Sequence, residues 1–285
     1  MTGFLSFLLE SLFPGICLVC GAGLAGPERS FTVPHGWPPE TADFLCRDFS
    51  FPLFRGVAVP ARILCSQCWL SLEPARHAVF ISITEGRVNH DPPREEASTF
   101  GQVAGGTVEA VHLVSPFVTN DTLLEIIRFL KFSGGQTAIP PLSWWMALSI
   151  SRHLEGRFLD PSPGPVVVPV PLHPTRERRR GYNQAGLLAG GVAARLGFDF
   201  GAAVLERIRK TRRQAKLDSA GRAENVHGAF RVVKTEMIES RDVILVDDLV
   251  TTGHTARACI AALKEGFASS TTVLTAGRTR GLKFF

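Results

Sequence analysis

Nine residues, "DDLVTTGHT" (247–255), bring together two carboxylates, three hydroxyls, a glycine and a histidine directly behind the apolar run "VILV". Adjacent carboxylates accept hydrogen bonds from vicinal sugar hydroxyls, or ligate a hard cation such as Mg²⁺. A glycine just before a helix lets a ligand approach the backbone. The first N–H groups of that helix, with the hydroxyls of Thr251, Thr252 and Thr255, then favour a phosphate. A ribose carrying a 5′-phosphate combines both demands, with Asp247 and Asp248 on the sugar, Gly253 in the turn and His254 within ligand reach. The plainer alternative is an acidic pair that caps a helix and threonines that satisfy a turn.

Two basic segments lie upstream. "VPVPLHPTRERRRGYNQ" (168–184) is expected to leave a strand, cross a loop and enter a helix, with Gly181 and Asn183 allowing the tight turn. Its guanidinium groups suit phosphate groups, whether on a small ligand or on a nucleic acid. "RKTRRQAKLDSAGRAENVHGAF" (209–230) reads as a long polar loop between two strands, and loops of that length in compact domains often act as lids. The competing readings are a solvated basic face and a surface excursion. His173, in "PLHP", reads as structural.

Cys17 and Cys20 form one C-x-x-C, and Cys65 and Cys68 another, while Cys46 and Cys259 stand apart. Four thiolates in two such turns give a closed tetrahedral zinc site, structural rather than catalytic. Residues 21–64 separate the pairs, whereas a compact ribbon has roughly 15–20 residues there. Residues 25–62 therefore read as an insertion, and Cys46 is a possible replacement ligand. A redox pair and unligated thiols are the alternatives. Cys259, among Ala and Ile, reads as core.

Positioning these groups requires a sizeable core. The chain has 285 residues, 45% of them hydrophobic, and a formal charge of +5. That excludes a disordered chain and suits phosphate-bearing partners. No run reaches the roughly 18 apolar residues of a membrane span, and the N-terminal "FLSFLLESLFPG" lacks the features of a secretory signal. It reads as a docking helix ended by Pro14, with a peripheral membrane contact as the alternative, and the expected location is cytoplasmic. Residues 1–75 are expected to hold the cysteine module, 76–106 a linker, and 107–285 the main domain. Within the last, "TVEAVHLV", "PVVVPVP", "AVLERIRK", "GAFRVV", "DVILVDD" and "TTVLTAGR" read as strands. "NDTLLEIIRFLKF", "LSWWMALSISRHL", "NQAGLLAGGVAARLG" and "GHTARACIAALKEG" read as helices. Strands alternating with helices predict an α/β fold, a mostly parallel sheet covered on both faces.

The 247–255 string resembles the ribose-phosphate motif of type I phosphoribosyltransferases. With "VPVPLHPTRERRRGYNQ", "RQAKLDSAGRAENVHGAF" and the N-terminal "SLFPGICLVCGAGL" in the same order, most of the chain resembles the ComF family of phosphoribosyltransferase-like proteins. The resemblance implies a type I phosphoribosyltransferase-like fold with a zinc-binding N-terminal module and an association with natural competence. It implies that Asp247, Asp248, Thr251, Thr252, Gly253, His254 and Thr255 bind the ribose phosphate of phosphoribosyl pyrophosphate (PRPP). Arg176, Arg179, Arg180 and Gly181 would stand at the pyrophosphate loop, and Gln214 and Arg222 on a mobile loop. Cys17, Cys20, Cys65 and Cys68 would hold Zn²⁺, and Mg²⁺ would accompany PRPP. Lys131, in "FLKFSGG", matches a lysine at a helix end typical of the family. The implied partners are PRPP or a related ribose phosphate, proteins of the competence machinery and single-stranded DNA. Three functions are compatible with this resemblance: phosphoribosyl transfer to a nitrogen acceptor, non-catalytic sensing of PRPP or nucleotide, and handling of single-stranded DNA. No general base stands out in 248–255, so the acceptor is not legible, nor is the oligomeric state.

Overall fold

The computed structural model describes Cys17, Cys20 and Cys68 and residues 71–75, 79–83, 101–103, 106–131, 135–154, 164–209 and 228–280. The N-terminal docking helix, the 25–62 insertion, Cys46, Cys65, and Gln214 and Arg222 lie outside the described residues. In chain order the strands and helices begin with β1 (Glu73–Pro74), β2 (Val79–Ile83), β3 (Gly101–Val103), β4 (Gly106–Val114) and β5 (Phe117–Val118). Helices α1 (Asp121–Leu130) and α2 (Ile139–Leu154) lead to β6 (Val166–Pro169), α3 (Pro174–Arg180), α4 (Gln184–Leu196) and β7 (Asp199–Phe200). A hairpin of β8 (Leu205–Arg207) and β9 (Phe230–Val232) precedes β10 (Asp242–Val250), α5 (His254–Glu265) and β11 (Ser270–Arg278).

The valine and isoleucine runs form the centre of the sheet. β10 pairs in parallel with β11 on one side and β6 on the other; β6 pairs in parallel with β7, and β11 with β4 and β5. β2 and β3 pair antiparallel with β4, so part of the stretch expected as a linker joins the sheet. β1 pairs antiparallel with β5 and ties residues just after the second cysteine pair to the same sheet. The expected α/β architecture is thus present: a mostly parallel sheet with helices on both faces.

Strand alternation sorts the core into two layers. Val167, Ile244, Val246 and Leu274 face the layer built by α1, α2 and α4. Val166, Val168, Val243, Leu245 and Val273 face α5 and the β8–β9 hairpin. Valines buried on both faces of a strand are what a doubly covered parallel sheet demands. Helix α1 lies tightly on this sheet: a Cβ on Gly277 of β11 would meet Leu123 Cδ2 at 2.3 Å.

One local reading is corrected. The basic segment after β6 is a helix rather than a loop, because His173 Nδ1 caps it by accepting from the Thr175 N–H (3.2 Å) and Pro174 opens it. Gly181, at φ 86°, ends it in the left-handed region that favours glycine. The strand read as "DVILVDD" runs on past its carboxylates, with β11 alongside as far as Val250↔Arg278. Pairing with β6 has stopped by then, at Val246↔Pro169.

Leu123 is fully buried between α1 and β11. Leu123→Ala is expected to cost about 2–5 kcal/mol, read as a lower urea midpoint with an unchanged slope.

Candidate functional site

At the carboxyl ends of β6 and β10 the chain turns opposite ways. β6 leads through α3 to α4 on one face, and β10 leads to α5 on the other. Such a divergence opens a crevice where open α/β sheets bind ligands. Asp247 is the first residue of β10 past its pairing with β6, at the point where the two connections diverge.

Consecutive strand residues face opposite sides of a sheet. Asp248 points to the layer of α1 and α4. It is 5% exposed, and its Oδ2 lies 3.0 Å from Lys131 Nζ and accepts from Gln184 Nε2 at 3.1 Å. Its Oδ1 has no protein partner among the described residues. Lys131 is the C-cap of α1, and Gln184 is the first residue of α4. The amide oxygen of Gln184 in turn accepts from the Arg180 guanidinium. The turn between α3 and α4 is braced on both sides. The Tyr182 hydroxyl donates to Leu130 O (2.7 Å), Asn183 Nδ2 donates to Val170 O (3.1 Å), and Asn183 Oδ1 caps α4.

Asp247 faces the other layer, towards Cys259 of α5 and Arg207 of β8. Burial, and then the charge of Asp248, push its pKa up to about 7; the Asp248 N–H, which donates to its Oδ1 at 2.8 Å, and the charges of Lys131 and Arg207 act in opposition. Arg207 is 8% exposed, with its guanidinium 5.2 Å from the centre of the Phe230 ring. Burial and then the nearby Arg176 lower its pKa below the ordinary arginine value, opposed by Cys259 and Asp247. Lys131, Arg180, Arg176 and Arg207 therefore gather around two carboxylates, a balance that favours an anionic ligand.

Beyond β10, Gly253 takes φ 75° and opens α5 as an N-cap without a side chain. The left-handed backbone there favours glycine, and the missing side chain clears the approach to the helix start. Thr251 is exposed, Thr252 and Thr255 are half-buried, and His254 is buried. On α3, Arg176 and Arg180 are half-buried one helical turn apart, whereas Arg179 is exposed on another side. The structure thus gathers Asp247, Asp248, Arg176 and Arg180, turns Arg179 outward, and adds two residues absent from the sequence expectations, Gln184 and Arg207. Gln184 was legible only as the "NQ" after the turn, and Arg207 only as one charge in a basic run.

No protein-family model matches the chain. The chain is 34% identical over 201 residues to DNA utilization protein YhgH of Salmonella typhimurium, covering 70% of this chain and 77% of that protein. The chain belongs to the ComF family. Competence protein F of Haemophilus influenzae is 38% identical over 90 residues, 31% of this chain and 39% of that protein. Competence protein ComFC of Bacillus subtilis is 29% identical over 164 residues, 56% of this chain and 62% of that protein. Among solved structures, the allosteric regulatory enzyme of purine biosynthesis is similar over 53% of this chain and 30% of that one, with a TM-score of 0.35 and 20% identity.

The N-terminal cysteines of this ComF-family chain converge as well. The Sγ atoms of Cys17, Cys20 and Cys68 lie within 4.8 Å of one another as thiols outside any disulfide, positioned to bind a metal ion and compatible with a structural zinc. The cluster is joined to the N-terminus of α1. Ser71 Oγ donates to Cys68 O (2.8 Å) and shares a hydrogen bond with Thr122 Oγ1 (2.7 Å), while Asn120 Nδ2 donates to Ser71 O (2.6 Å). Asn120 also caps α1 through the Leu123 N–H. Among the described residues no helix is long and apolar enough to cross a membrane.

Two measurements check this geometry. The folded chain holds the Asp247 proton more tightly than the unfolded chain does, so its contribution to stability is greatest below the unfolded value of 3.8 and is lost as pH rises towards about 7. Asp247→Asn is expected to flatten the decline in urea stability between those values, and ¹³C NMR of the wild type should show one aspartate titrating near neutrality. For the cysteines, elemental analysis is expected to find about one zinc per chain, lost in Cys68→Ser with a lower melting temperature.

Proposed function

We propose that this chain binds PRPP together with Mg²⁺ and transfers the phosphoribosyl group to a nitrogen acceptor, in support of the uptake or use of DNA. The observation that carries the reading is the end of β10. Two carboxylates near the end of a central parallel strand are followed by a helix opened at a glycine, with the inward arginines of α3 close by. A ribose 5-phosphate fits that order, its hydroxyls on Asp247 and on Asp248 Oδ1, its phosphate on the backbone and hydroxyls of 251–255. Arg176 and Arg180 then take the pyrophosphate, and the outward-facing Arg179 has no part in this reading.

In the reaction a nitrogen lone pair attacks C1 of the ribose as the C1–O bond to pyrophosphate breaks, and the electron pair leaves with pyrophosphate. Positive charge develops on the sugar ring and negative charge on the leaving group. Asp247 and Asp248 hold the sugar beside that positive charge, while Arg176 and Arg180 hold the negative one. Asp247 is the carboxylate that would hold a Mg²⁺ ion together with substrate phosphates, and the ion would supply charge neutralisation for the departing pyrophosphate. β8 and β9 flank the segment that carries Gln214 and Arg222, which lies outside the described residues. The names of the relatives, competence protein and DNA utilization protein, support a role for this chemistry in handling incoming DNA.

A calorimetric titration with PRPP, with and without Mg²⁺, tests the reading. Binding is expected to need Mg²⁺ and to weaken at least ~10-fold in Asp247→Asn, the scale of one lost charge-assisted hydrogen bond. Because ionised Asp247 is the stronger acceptor, affinity should rise as pH passes about 7 in the wild type and not in the variant. Pyrophosphate release is expected with at least one base or amine. Binding without release across such a panel would assign the site to sensing, and no binding at millimolar PRPP sinks the proposal.

A further inference from the structure

Gln184 is a neutral side chain, 5% exposed, held between two ions. Its Nε2 donates to Asp248 Oδ2 at 3.1 Å and its Oε1 accepts from Arg180 Nη1. A guanidinium can only donate and a carboxylate can only accept, so the amide has one chemically permitted orientation. The result is a directed chain from a cation on α3, through the first residue of α4, to a buried anion on β10. Among the described residues, the side-chain contacts of Asp248 fall on Oδ2, from Lys131 and from Gln184. They fix the plane of the carboxylate and with it the direction in which Oδ1 points.

We propose that Gln184 is a positioning residue that couples the two halves of the ligand site. It transmits the placement of Arg180, on the pyrophosphate side, to the aim of Asp248, on the ribose side. The inference rests on the phosphoribosyl reading of the site but makes a separate claim about it. Hydrogen bonds in series polarise one another in a low-dielectric setting, so the Arg180 charge strengthens the Gln184 donor that holds Asp248. Lys131 holds the same Oδ2 from α1, and Gln184 is the residue whose amide contacts both Asp248 and Arg180. A ligand that engages Arg180 therefore alters the carboxylate that receives the sugar, although no contact joins the two ions directly.

Ribose 5-phosphate separates the two claims, because it carries no pyrophosphate for Arg180 to bind. Arg180→Ala is expected to weaken ribose 5-phosphate binding about 3- to 10-fold, the scale of coupling passed through an intermediate residue. The same substitution placed on Gln184→Leu is expected to change it no further. If Arg180→Ala weakens PRPP while ribose 5-phosphate binding stays at the wild-type value, the relay is overturned and the phosphoribosyl reading stands. If the wild type binds neither ligand, the reading fails, and the relay is judged by NMR of the ligand-free protein. There the side-chain amide signals of Gln184 should shift in both Arg180→Ala and Asp248→Asn; unmoved signals overturn it. Should Gln184→Leu fail to fold, the single Arg180→Ala comparison still decides.

Discussion

A carboxylate buried to 5% exposure is costly to keep ionised unless its charge is matched and its lone pairs are satisfied. Asp248 is matched by Lys131 from the end of α1 and by Gln184 from the start of α4, and both must arrive together. Much of the architecture serves that condition. α1 presses on β11, where Gly277 leaves room for Leu123, so that its last residue reaches the end of β10. The α3–α4 turn, held by Tyr182 on Leu130 O and Asn183 on Val170 O, sets the first residue of α4 against the same carboxylate.

Helix α1 is therefore a strut with both ends fixed. At one end Asn120 and Thr122 bond to Ser71, which bonds to Cys68 in the cysteine cluster. At the other, Lys131 meets Asp248. Cys17 and Cys68 are buried in the same apolar layer as Leu123 and Leu130, so the cysteine cluster packs as part of the main core. A metal ion held there would stabilise the end of the helix whose other end reaches Asp248.

At Asp247 the matching is incomplete. This carboxyl lies on the opposite face, where burial, and then repulsion from the charge of Asp248, hold its proton near neutral pH. Two adjacent residues of one type thus acquire different chemistry from the parity of a strand. One is an ion fixed by protein partners; the other is a group whose charge a ligand or cation would complete.

The parts of this protein that were legible in the sequence are those whose chemistry is contiguous. "DDLVTTGHT" reads as a carboxylate and phosphate-binding turn because strand end, glycine and helix start succeed one another along the chain. The alternation of strands and helices likewise declared the α/β sheet, since hydrophobic periodicity is local. The cysteine cluster was legible from paired C-x-x-C spacing, and three of its thiols do converge. What only the tertiary structure decided is which distant side chains meet the motif. Lys131, Gln184 and Arg207 stand on three separate elements, and no spacing rule relates them to Asp247 or Asp248. The opposite facing of the two aspartates, and the inward turn of Arg176 and Arg180 but not Arg179, depend on strand register and helix phase. Those are settled when whole elements pack, because burial selects one face of each, and a sequence read one segment at a time does not contain the partner that does the selecting.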